Sequence, residues 1–346
     1  MAATNCLIGI YYFAGWWRDL PNKYVPAGND WRTNYPDRRA LLGEYNEQAT
    51  MDREIIAAAS NGVSFFQILW YYQGNQQHRE PHQEKLNEGL SLFLASTNNS
   101  RVKFTIEFVN HPPFAIESDD AWRQACREWC KAMQHPSYLK IDGRPVFKIH
   151  GLDWFFQQNK GDSREVARRL EVLREIARQA GVGDPLIGAG VMAGGVTAGL
   201  AVQPYDYLTT YMDVPNLPQR ERPYPYATLL GLAARAWTNY AQLGDKPYVP
   251  YLPAGWDPRP WKDPRPSFEL PTRTDWTAAL QQLKATLASH PNLGFPTRGN
   301  ARQPAVLIYA WNEFGEGGFV APTAGTSAMK LEQIKAVFGP GSFSNN

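Results

Sequence analysis

The stretch AVLIYAWNEFGEGG, residues 305 to 318, decides how the chain is read. Ala305 to Trp311 is a continuous apolar run with the β-branched and aromatic residues of a buried strand. Asn312, Glu313 and Glu316 follow at once, among the turn-forming Gly315, Gly317 and Gly318. Carboxylates where a buried strand emerges are costly unless paired or used. Short β-rich runs of this kind, each followed by a loop and then a helical pattern, recur seven times upstream. The runs are Cys6–Tyr12, Val63–Tyr71, Val102–Val109, Pro145–His150, Leu186–Val191, Tyr205–Tyr211 and Pro247–Leu252.

Between these runs lie segments with apolar residues three and four apart, the spacing of amphipathic helices. Val166, Leu170, Leu173, Ala177 and Ala180 make one such face, and Trp276, Leu280, Leu283 and Leu287 another. The weakest helical pattern is the fifth, around Val196–Val202. Eight strands alternating with helices, with no linker or low-complexity segment, predict a single-domain (β/α)8 TIM-type barrel over residues 1–346. In such a barrel the strand-to-helix loops form the working face. Those after the first strand (13–47) and the seventh (253–271) are long and carry Trp16, Trp17, Trp31, Trp256 and Trp261.

The bulk composition excludes several classes. The 35 basic and 33 acidic residues nearly cancel, so no charge excess points to nucleic acid or an anionic membrane. No apolar run reaches the length of a membrane span, and no signal peptide is evident. The chain as it stands therefore reads as cytoplasmic, or as secreted or periplasmic if a leader preceded it. Oligomeric state is not encoded in any feature we recognise. The three cysteines form no disulfide framework. Cys126 and Cys130 share an apolar stripe with Trp122, Trp129 and Met133, which predicts buried, reduced thiols. His78 and His82 are four apart, but Pro81 argues against the helix that would align them on a metal. No metal site and no cofactor are expected. GAGVMA, residues 188 to 193, fits a dinucleotide-binding pattern with Asp206 further on. It lacks the long strand and helix which that fingerprint requires.

Projected onto the barrel, polar and aromatic residues gather at C-terminal strand ends. They are Tyr12, Trp70 and Tyr71, Glu107 and Asn110, His150, Tyr211 and Asp213, Tyr251 with Trp256 and Asp257, and Asn312, Glu313 and Glu316. Glu107 could instead form a buried ion pair with an arginine, and Glu313 or Glu316 could cap the last helix. Together at one rim they point to chemistry. Glycosidic bond cleavage needs two carboxyl groups, and aromatic rings hold sugars. With twelve Trp and seventeen Tyr the chain has many such rings. A polysaccharide or oligosaccharide is the expected substrate.

The segments IYYFAGWW, GVSFFQILWYY, IEFVN, HPSYLKIDGRPVFKIHG, YVPYLPAGWDPRP and AWNEFGEGGFVAP, in this order, resemble glycoside hydrolase family 99. That family comprises the endo-α-mannosidase-like enzymes, and the related WbsX-like proteins of polysaccharide gene clusters share the likeness. The resemblance implies that Glu313 and Glu316 are the catalytic pair. Glu313 would deprotonate the sugar 2-hydroxyl, which attacks the anomeric carbon to give a 1,2-anhydrosugar. Glu316 would act first as general acid and then as base to water, with retention of configuration. It further implies that Glu107 contacts substrate. Phe314-Gly315 stands between the glutamates where mannosidases of the family carry Trp-His, a change in the first sugar subsite. Two other readings follow from the same resemblance, a glycosyltransferase or transglycosidase and a non-catalytic carbohydrate-binding barrel.

Overall fold

A computed structural model describes residues 6–26, 28–75, 80–194, 201–243 and 246–339. Eight barrel strands run in chain order: β1 Leu7–Tyr12, β2 Phe65–Tyr71, β3 Lys103–Val109, β4 Arg144–Ile149, β5 Leu186–Gly190, β6 Tyr207–Thr209, β7 in two halves Tyr248–Val249 and Tyr251–Pro253, and β8 Ala305–Tyr309. Neighbours in this order pair in parallel, and β1 pairs with β8 through Leu7↔Ala305 to Ile10↔Ile308. Closure depends on β7. Its first half pairs with β6 through Tyr248 and Val249, and its second with β8 through Tyr251, Leu252 and Pro253. Pro250, which has no N–H to give, sits at the break, and its carbonyl accepts from Leu307 N–H at 2.9 Å. The sheet therefore returns on itself, and the chain is a closed (β/α)8 barrel.

The helices are α1 Gln48–Ser60, α2 Glu88–Ala95, α3 Asp119–Met133, α4 Leu152–Gln158, α5 Ser163–Gln179, α6 Tyr226–Leu243, α7 Arg273–Ser289 and α8 Met329–Phe338. Their apolar stripes face the strands. Trp122, Cys126, Trp129, Cys130 and Met133 are all buried on α3, and the three cysteines are free thiols. Val166, Leu170, Leu173 and Ala177 are buried on α5, as are Trp276, Leu280 and Leu283 on α7. The helix expected around Val196–Val202 falls mostly on 195–200, outside the described residues, as does His78 of the spaced histidine pair. None of the described helices is long and apolar enough to cross a membrane.

The GAGVMA glycines have a packing role. Gly188 and Gly190 lie within β5, not in a phosphate-binding turn. A Cβ on Gly188 would stand 2.2 Å from the Tyr207 ring, and one on Gly190 would stand 1.7 Å from the His150 carbonyl. Asp206 accepts from Ile187 N–H and pairs with Arg174 and Arg144. The two glycines are packed in the barrel wall, and Met192 beyond them is exposed.

Candidate active site

After β8 the chain forms a small hairpin. Asn312–Glu313 pairs antiparallel with Gly318–Phe319, and a 3-10 turn, Phe314–Glu316, bridges them. Gly317 closes the turn at φ 76°, a left-handed conformation suited to glycine. Both glutamates thereby line one cavity of about 510 Å³ at the C-terminal mouth of the barrel. Tyr71, His150 and Tyr211 line it too, with His111, Lys23 and Trp261.

Each carboxylate has a phenol beside it. Tyr211 donates to Glu313 Oε1 at 2.8 Å, and Glu313 Oε2 is buried without a partner. Tyr309 donates to Glu316 Oε2, and the Arg265 guanidinium lies 3.8 Å from Oε1. Burial pushes Glu313 well above the usual carboxylate range, and the charge of Glu316 adds to this. Burial also raises Glu316, while Tyr309 and Arg265 favour its ionised form. Burial likewise raises Tyr211 and Tyr309 far above ordinary phenols, so both remain donors. Two carboxyl groups on one cavity, both resisting ionisation, are suited to acid/base chemistry.

Glu107 does not line this cavity. It lies beneath, fully buried, and its Oε1 accepts from Lys148 Nζ at 2.7 Å and meets His150 Nδ1 at 2.6 Å. Lys148 is its register partner on β4 and also donates to Tyr11 at 3.1 Å. Burial alone would raise Glu107, but Lys148 and His150 together hold it below the ordinary glutamate value. It is a member of a buried ion pair, not a substrate contact, with lysine in the place expected of an arginine. The carboxylate orients His150, whose ring faces the cavity.

Other expected contacts prove structural. Asn312 accepts from Phe13 N–H at 3.0 Å and donates to Phe13 C=O at 2.8 Å. Asn110 makes the same double bond with Gly151 at 2.8 and 2.9 Å. Each side-chain amide thus replaces a peptide group where a strand pair ends. Trp70 points away from the cavity and packs on Trp129 of α3, with centroids 5.2 Å apart. Tyr12 likewise points outward, donating to Glu54 of α1 at 2.8 Å. Asp213 accepts from Gly194 and Val214 N–H. Asp257 is held by Arg38 and Arg259, and Arg38 also donates to Phe314 C=O at 3.1 Å. Trp256 is buried behind Tyr309 with Arg265 over its face. Tyr251 is buried and does not line the cavity.

Several residues in or directly behind the cavity were missed in the sequence. His111 directly follows Asn110 at the end of β3, where the strand-end rule applied. Lys148 is a charge inside the apolar run VFKIH, facing Glu107 across the sheet. Tyr309 was read only as strand. Lys23, in the long first loop, gave no signal. The Phe314-Gly315 departure has a local cause: a Cβ at Gly315 would stand 2.2 Å from the Trp261 ring, which lies flat against this glycine. Among the described residues no His, Cys, Asp or Glu group is arranged to hold a metal.

The fold and site thus define a TIM-type barrel with a carboxylate pair at the end of its last strand. Solved structures match nearly the whole chain. One described as a glycoside hydrolase-like protein aligns over 98% of this chain and 95% of its own, with 14% identity and a TM-score of 0.64. The GH99 endo-alpha-mannosidase from Bacteroides thetaiotaomicron aligns over 96% and 95%, at 14% identity and a TM-score of 0.58. An exo-beta-1,4-mannosidase from Opitutaceae bacterium strain TAV5 aligns over 97% of this chain and 60% of its own, at 12% identity and a TM-score of 0.56. No protein-family model and no curated protein matches the sequence. At these identities the likeness is one of fold.

Proposed function

We propose that the protein is a retaining glycoside hydrolase acting on an α-linked polysaccharide or oligosaccharide. The observation that carries this is the pairing of Glu313 and Glu316 on one cavity, each accepting a hydrogen bond from a tyrosine hydroxyl. The fold shared with glycoside hydrolase structures, an endo-alpha-mannosidase among them, supports it. In the first step Glu313 takes the proton of the sugar 2-hydroxyl, and O2 attacks the anomeric carbon. Glu316 protonates the departing oxygen as the glycosidic bond breaks. A water then gives its proton to Glu316 and opens the 1,2-anhydrosugar at the anomeric carbon, and O2 recovers its proton from Glu313. Two inversions give net retention, without the carboxylate ester of the commoner route.

One observation favours exchanging the two roles. Arg265 and Tyr309 favour an ionised Glu316, whereas Glu313 has an unpartnered oxygen and the larger upward push. These surroundings favour the protonated form at Glu313 more than at Glu316, which suits Glu313 to the role of general acid. Leaving-group rescue separates the assignments. If Glu316 is the acid, Glu316→Gln loses activity on natural substrate but regains about 10²–10⁴-fold on a glycoside whose leaving group needs no proton. If Glu313 is the acid, only Glu313→Gln is rescued.

The class itself is tested by a panel of defined polysaccharides with product analysis, including an added acceptor sugar to expose transfer. Retention in the first-formed anomer by proton NMR is expected. Inversion would overturn the mechanism and leave the glycosidase assignment standing. Binding across the panel without turnover would make the barrel a carbohydrate-binding protein.

A further inference from the structure

A second cavity of about 270 Å³ opens beside the first, between the start of α4 and the end of β5. The two share His150 and Tyr211 as a common wall. Across the second cavity stand two large apolar side chains, Trp154 at 41% exposure and Met192 at 55%. The other large apolar residues exposed among the described ones, Leu20, Leu41, Ile56 and Leu243, line neither cavity. Single exposed apolar residues need no explanation, but two across one concavity make a patch, and patches mark binding sites.

The indole is also held in place. Its ring is nearly parallel to His150 (10°, centroids 5.9 Å) and edge-on to His111 at 5.4 Å. It lies down on Gly151, where a Cβ would stand 2.2 Å from a ring carbon. A flat, fixed and half-exposed ring costs little entropy when it is covered. Asp153 and Gln157 of the same helix bring polar groups to the lining. A fixed apolar face with hydrogen-bonding groups beside it fits a pyranose ring, which presents C–H groups on its faces and hydroxyls around its edge.

Resting on the glycosidase reading above, we propose that this cavity is a second sugar subsite. Trp154 is its platform and Met192 its opposite wall, and it holds a sugar one or more units along the chain from the residue at Glu313 and Glu316. A sugar polymer, not a protein partner, is the occupant, because the patch adjoins the catalytic cavity across the shared wall of His150 and Tyr211.

The test is calorimetric binding of α-linked manno- and gluco-oligosaccharides of two to six sugars to the Glu316→Gln enzyme. Affinity should rise with length and then level off. Adding Trp154→Ala should weaken the long oligosaccharides roughly ten-fold and flatten the rise, as truncating an aromatic anchor does. Trp154→Phe, which keeps a ring, should restore most of it, and Ile56→Ala on α1 should change nothing. An undiminished rise with length in Trp154→Ala overturns the subsite and leaves the glycosidase reading intact. Failure of every oligosaccharide to bind the Glu316→Gln enzyme overturns both.

Discussion

Arg265 is the residue through which the two glutamates can be told apart by pH. Its guanidinium lies 3.8 Å from Glu316 and is half exposed. A cation at this distance favours the carboxylate, so its removal raises the pKa of Glu316. Solvent screening at a half-exposed site keeps the expected rise modest. The sign then depends on role. If Glu316 must be protonated, Arg265→Met moves the alkaline limb of kcat/KM to higher pH. If Glu316 must be ionised, the acidic limb moves to higher pH instead. The measurement is the pH profile of kcat/KM for both enzymes, and two unmoved limbs would mean that Arg265 does not act on Glu316. The buried Lys148–Glu107 pair makes the same argument by burial in place of exposure. Lys148→Met leaves Glu107 buried with His150 as its remaining ion-pair partner, and breaking such a pair costs about 3–5 kcal/mol. Chemical denaturation should show that loss. Glu107→Gln/Lys148→Met, which removes both charges, should recover much of it.

At the scale of elements, Tyr12 and Glu54 show what docks α1 onto the barrel. Glu54 is buried between helix and sheet and accepts from Tyr12 at 2.8 Å. Burial raises its carboxyl from 4.5 to about 7. Below about pH 4.5 the group is protonated in folded and unfolded chains alike, and its contribution is fully present. As pH rises through about 7 the unfolded chain releases this proton first, and stability is lost. A gap of this size is worth up to about 3 kcal/mol. Glu54→Gln keeps the acceptor for Tyr12 and has no proton to lose. The variant should therefore gain on the wild type between pH 5 and 8, by thermal melts at each pH, and an unchanged difference would place Glu54 in contact with water. Tyr12 also shows how far the site was legible. Successive strand residues face opposite sides of a sheet, so Tyr11 enters the barrel while Tyr12 meets α1, and Tyr71 enters the cavity while Trp70 meets α3. Strand ends could be located from apolar runs, but their pleat parity was not assigned, and half of each aromatic pair was misplaced. Asn110 and Asn312 fail for another reason: an amide that can bond a sugar can equally bond a peptide, and strand ends offer unpaired peptides. His150 directly follows β4 and Tyr211 lies just past β6, while Glu313 and Glu316 are carried by the hairpin after β8, and all four line the cavity.

For the molecule as a whole, the eightfold alternation of apolar runs and amphipathic stripes carried the barrel almost unaided. What it could not carry was closure, which depends on a single strand divided at Pro250 between two neighbours. Nor could it show how the interior is filled, since small and large residues meet there across strands that are distant in sequence. Gly188 on β5 and Tyr207 on β6 are such a pair in direct register. The tyrosine ring occupies the space a Cβ at 188 would need, and its other neighbour, Phe295, stands 5.0 Å away by ring centroids. The Tyr207 hydroxyl is tied to the Phe147 carbonyl at 3.2 Å, so the ring cannot swing aside without losing that bond. Gly188→Ala should therefore overpack the interior and cost about 1–3 kcal/mol. Tyr207→Leu should cost stability on its own by leaving a void. In the double variant Gly188→Ala/Tyr207→Leu the new methyl enters the space the ring has vacated. Its destabilisation should fall short of the sum of the two single losses by roughly 0.5–3 kcal/mol, the coupling seen between residues in contact. Urea unfolding of the four proteins measures that coupling, and strict additivity would mean that ring and glycine do not share the space the barrel assigns them.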